Sequence, residues 1–155
     1  MNDLRTTAAI KGHPLHPLLV PIPIALFVAA LVTDLAFVVD GSNGWAIASR
    51  WLLAGGLAGG AVAALAGFID FVGNARIREI RDAWLHLFAN LAVVVIEAVN
   101  LVLRLPDPAV AASYGVLLSA VAVLVLLFSG WKGGELVFRH GVGQIRRNST
   151  EDGER

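Results

Sequence analysis

"SYGVLLSAVAVLVLLFSGW", residues 113 to 131, runs for nineteen residues without a charge. A helix of that length, at about 1.5 Å per residue, reaches nearly across the roughly 30 Å hydrocarbon core of a bilayer. A helix of a soluble bundle turns a charged face to water. This run has no such face, so it reads as a membrane span, and it sets the standard for the rest of the chain.

Three more segments meet it. Leu18 to Val39 is polar only at Thr33 and Asp34. Trp45 to Val72 carries Arg50 near its start and Asp70 near its end. Trp84 to Leu103 holds His86, Asn90, Glu97 and Asn100. The composition agrees: apolar residues make up 57% and charged residues 15% of 155, against roughly a quarter charged in soluble domains. The connections "DGSNG", "GNARIREIRD" and "RLPDPAVA" are short, which makes successive helices antiparallel neighbours. The fold expected is all-α, a four-transmembrane-helix antiparallel bundle. It comprises a cytoplasmic lead-in with a His-Pro motif over 1–17, a membrane domain over 18–143 and a disordered polar cytoplasmic tail over 144–155. The first apolar run is long for a signal peptide and lacks a small-residue cleavage site, so it is expected to be retained.

Four passes place both termini on one side, here face A. That side takes Arg5, Lys11, Arg76, Arg78, Arg81, Lys132, Arg139, Arg146, Arg147 and Arg155; the opposite side, face B, takes Arg50 and Arg104. Such an excess orients face A to the cytoplasm. With no cysteine in the chain, disulfides, thiolate metal sites and cysteine nucleophiles are excluded. The net charge of zero gives no reason to expect a nucleic-acid partner.

Gly56, Gly60 and Ala64, and likewise Gly55, Gly59 and Ala63, recur every four residues in the second span. This pattern lets helix backbones approach closely in lipid, either inside the bundle or between subunits of a homo-oligomer. Internal repetition shows only as a hint, in the "GFIDF" and "GGELVF" endings of the second and fourth spans.

Ionisable groups in a bilayer are costly and are functional candidates by default. His13, His16, Asp70, His86, Glu135 and His140 all fall at face A, from four separate segments. His86, Asn90, Glu97 and Asn100 share one face of the third span at helical spacing. Toward face B, Asp34, Glu97 and Asn100 lie level with Arg50 and Arg104, where pairing between helices is the expected outcome. The prolines of "GHPLHPLLVPIP", residues 12–23, make a stiff, bent lead-in. Pro17 suits a first turn, whereas Pro21 and Pro23 bend the helix one turn deeper.

"GHPLHPLLVPIPIAL", "GFID", "HLFANL" and "GWKGGELVFRHGVG" together resemble the bacterial membrane family catalogued as domain of unknown function 2231. The resemblance runs from about Gly12 to Gly143 and puts His13, His16, Asp70, His86, Asn90, Glu135 and His140 at motif positions. It implies a bacterial inner-membrane protein, and relatives that adjoin Rieske-type redox modules imply electron transfer with a redox protein or quinone as partner.

Three readings of face A stay open. The first is one b-type haem: two of His16, His86 and His140 serve as axial ligands, with His13 and Asn90 beside them, Asp70 and Glu135 behind, and basic residues on the propionates. The second is a zinc, copper or iron ion held by His13, His16, His86 and Asp70. Extended backbone before Pro14 and Pro17 works against His13 and His16 sharing an ion. The third is an assembly or anchoring subunit without chemistry of its own. No reaction can be assigned from the residues.

Overall fold

A computed structural model describes residues 4–144; the expected tail beyond Gln144 lies outside them. Four helices are long and apolar enough to cross a membrane. A β-hairpin precedes them, β1 (Ala9–Ile10) and β2 (His13–Pro14). Its two-residue turn, Lys11 and Gly12, has φ of 50° and 81°, the positive pair that a tight hairpin needs. Helix α1 (Leu15–Leu19) follows directly, and α2 (Pro21–Asp40) restarts after Val20. Pro21 and Pro23 therefore fall in a first turn, where backbone N–H groups have no intrahelical acceptor. Val20 is itself in helical geometry, and Leu15–Asp40 forms one apolar span.

Next come α3 (Asn43–Gly73), the short α4 (Ala75–Arg78), α5 (Arg81–Arg104) and α6 (Tyr114–Gly134). Gly41, at φ 67°, ends α2 in the left-handed conformation. A 3-10 turn over Pro108–Ala112, capped by Asp107, packs on the bundle at face B. A π-helical turn, Glu135–Arg139, extends α6 at face A.

Helix α2 packs chiefly on α3 and α5 chiefly on α6, while α2–α6 and α3–α5 contacts close the ring. Its middle is a small apolar core of Phe27, Ala30, Leu53, Val93 and Ala122. Outward, the helices expose Val32, Leu35, Leu65, Phe88, Leu91, Leu124 and Leu127. An apolar exterior around a bundle is what lipid, rather than water, covers.

The glycine stripe of α3 faces α2. A methyl carbon placed on Gly56 would stand 2.5 Å from the Phe27 ring, and one on Gly59 would stand 3.3 Å from Ile22. The close approach expected of this stripe is thus made inside the chain.

The bundle is also a tandem repeat, which the sequence gave little reason to expect. An offset of 70 residues relates His16 to His86, Asp34 to Arg104 and Ser49 to Ser119. The same offset carries the buried residues of α2, Pro23, Phe27, Ala30 and Asp34, onto the buried residues of α5, Val93, Glu97, Asn100 and Arg104. Late in α3 and α6 the offset becomes 66, relating Ala63 to Ser129 and Gly67 to Gly133. The difference, about one helical turn, keeps the same face inward. Helices α2 and α5 both run from face A to face B, so the hairpins α2–α3 and α5–α6 are related by a pseudo-twofold axis along the bundle.

Candidate functional site

At the face A end the two halves bring His16 and His86 together. The rings stand edge to face, centroids 5.9 Å apart and planes at 84°. Each is fixed in the same way. Nδ1–H of His16 donates to the Ala63 carbonyl oxygen at 2.7 Å, and Nδ1–H of His86 donates to the Ser129 carbonyl oxygen at 2.9 Å. In each case the residue four positions on, over the same carbonyl, is a glycine. A methyl carbon on Gly67 would lie 2.9 Å from His16 Nδ1, and one on Gly133 would lie 3.0 Å from His86 Cε1. The missing Cβ is what lets each ring reach a carbonyl that the helix itself already uses.

This pairing sets the tautomer. With Nδ1 as donor, Nε2 carries the lone pair in both rings. His86 Nε2 accepts from the Asn90 amide at 3.1 Å, and that amide also donates to the His86 carbonyl oxygen at 2.8 Å. A ring N–H tied to a backbone carbonyl is the usual support for an imidazole that binds metal through its other nitrogen.

The remaining face A residues stand elsewhere. His13 is exposed on β2. Asp70 accepts the Ala8 N–H at 2.6 Å and pins the hairpin to α3. His140 Nε2 lies 3.2 Å from Asp82, which Lys132 also meets at 2.8 Å. His140 lines a rim cleft of about 400 Å³ together with Leu4, Arg76, Glu79, Ile80 and Arg139. Glu135 pairs loosely with Arg139 at 3.3 Å. Of the set His13, His16, His86 and Asp70, only His16 and His86 therefore come together. Among the described residues no three His, Asp or Glu side chains gather as a metal cage.

A second polar cluster sits on the same axis toward face B. Arg104 grips Asp34 through two nitrogens, Nη1 to Oδ1 at 2.6 Å and Nη2 to Oδ2 at 2.7 Å. Ser49 bridges one side at 2.5 Å from Asp34 Oδ1 and 2.6 Å from Arg104 Nη1. Ser119 bridges the other, 2.7 Å from Asp34 Oδ2 and 3.3 Å from Arg104 Nη2. Asn100 Oδ1 accepts from Arg104 Nε at 2.9 Å. All five side chains are fully buried, as is Glu97. The expected interhelical pairing is present with Arg104; Arg50 takes no part in it.

Asp82, Ser49, Ser119, Ser129, Gly67 and Gly133 escaped the sequence reading. Each is ordinary by itself; for Ser129, Gly67 and Gly133 the signal was relational, a small residue followed by glycine four positions later near face A of both α3 and α6.

The profile of a family described as "Predicted membrane protein (DUF2231)" matches residues 12–146. The chain belongs to this family. No curated protein and no solved structure matches it. DUF2231 membership and the four apolar helices make the chain a multi-pass membrane protein.

Proposed function

We propose that this DUF2231 protein holds a redox-active transition-metal centre on His16 and His86 and passes electrons at face A. One observation carries the reading: two imidazoles on the pseudo-twofold axis, each anchored by Nδ1–H to a helix carbonyl and each left with an Nε2 lone pair. Imidazole nitrogen suits copper, iron and zinc alike, and the first two carry electrons. Two protein ligands leave further positions for water, a quinone oxygen or a donor from a partner protein.

The same two nitrogens are the natural axial pair for one b-type haem. The occupants differ in what the site must do. A bare ion takes the place of the Asn90 amide at His86 Nε2. A porphyrin between the rings needs the helix ends to part, because the two imidazoles already stand edge to face with centroids 5.9 Å apart. The geometry therefore favours a bare ion. The excess of basic residues at face A supports a cytoplasmic setting for this end in a bacterial inner membrane, with a redox protein or membrane quinone as partner.

Purification of the protein from membranes tests the reading, with metal analysis and a visible spectrum taken together. Stoichiometric copper or iron without a Soret band identifies a bare ion, and a Soret band that sharpens on reduction identifies haem. Protein without metal or chromophore, after growth with both supplied, would leave the histidine pair structural and favour an assembly subunit.

A further inference from the structure

We propose that Glu97 is a proton-binding site inside the membrane and that it carries its proton at neutral pH. Glu97 is fully buried in α5, seven residues, or about 10 Å of helix, before Arg104. Its Oε2 accepts from the Asn100 amide at 2.9 Å. Its Oε1 is the one buried side-chain polar atom among the described residues without a hydrogen-bond partner.

Charge balance points to the proton. The charges that act on the carboxyl are Asp34 from α2 and Arg104 from its own helix; α3 and α6 bring only the neutral Ser49 and Ser119 to the cluster. The single guanidinium is already matched by Asp34 through two hydrogen bonds. An ionised Glu97 would leave a net negative charge buried in lipid with half its acceptor capacity unused, and an unpaired buried charge costs several kcal/mol. A proton on Oε1 removes that charge. A metal cation fits less well, because the Arg104 guanidinium repels it and one free oxygen is a poor cage.

The repeat supplies an independent reason to regard Glu97 as an addition. Its counterpart in the first half is Phe27, buried against Gly56 in the apolar core. The bundle packs this position with an apolar side chain in one half, so a carboxyl in the other is not needed for packing.

Infrared spectroscopy of the full-length protein in lipid vesicles tests this. Exposed carboxyls titrate near about 4 and are ionised at pH 7. A protonated-carboxyl stretch that persists at pH 7 and disappears in Glu97→Gln is expected. Should the variant fail to fold, a hydrophobic carbodiimide, which attacks protonated carboxyls, provides the assignment on the unaltered protein: its adduct should map to Glu97. Absence of the stretch at pH 7, or a stretch retained by Glu97→Gln, would overturn the proposal, as would an adduct confined to other carboxyls.

Discussion

At the residue scale, two glycines determine what two histidines can do. Gly67 and Gly133 each stand over the carbonyl that fixes an imidazole. Alanine in a helix is intrinsically better than glycine by about 1 kcal/mol. Here the added methyl meets a ring wedged between helices, and overpacking of that kind costs about 1–3 kcal/mol. Gly67→Ala and Gly133→Ala are therefore expected to lower the thermal midpoint slightly or not at all, while releasing the ring from its carbonyl. Metal content should fall several-fold in both, and metal analysis beside a melting curve separates the two effects. Gly130, which has open space around it, is the control, and Gly130→Ala should change neither. The histidines were legible in the sequence because ionisable groups stand out in an apolar chain. Their glycines were not: "GGLAGGAVAALAG" offers many, and nothing local marks Gly67 as the one a ring rests on.

At the scale of elements, the Asp34–Arg104 pair ties α2 to α5 across the bundle. Removal of one partner leaves a charge without its counter-ion in lipid, which costs about 3–5 kcal/mol. Asp34→Ala and Arg104→Ala should each reduce the yield of folded protein sharply, measured as the monodisperse fraction in detergent. Replacing both by leucine should recover most of it, because two uncharged side chains impose no such demand. The sequence placed Asp34 and Arg104 at one level and expected pairing, and that expectation held. It could not say which arginine would pair. Arg50 and Arg104 are both near face B, but only Arg104 continues the buried face of its helix, Val93, Glu97 and Asn100.

At the scale of the whole molecule, the four spans were plain from hydropathy, and helix ends fall within a few residues of the expected ones. The repeat was not plain. Its equivalent positions hold opposite charges at Asp34 and Arg104 and opposite polarity at Phe27 and Glu97, and an extra turn in α3 shifts the offset midway. Three-dimensional equivalence survives where residue identity has gone. The pseudo-symmetry yields a prediction: exchange of the pair, Asp34→Arg with Arg104→Asp, should fold better than either single change, because Ser49 and Ser119 bridge the ion pair from both sides. Thermal midpoints of the three variants check it. The chain contains no cysteine, so single cysteines report sidedness cleanly. A membrane-impermeant thiol reagent applied outside intact cells should label Asn43→Cys and Asp107→Cys, and should leave Arg5→Cys and Glu79→Cys untouched until the cells are opened.

On the proposed reading His16 and His86 act as one metal-binding unit. Its most direct test is metal content and visible spectrum of protein purified from membranes, compared among the unaltered chain, His16→Ala, His86→Ala, His13→Ala and His140→Ala. A stoichiometric metal or haem is expected that is lost with either His16 or His86 and retained without His13 or His140. Equal content in all five proteins, or loss that follows His140 instead, would contradict it.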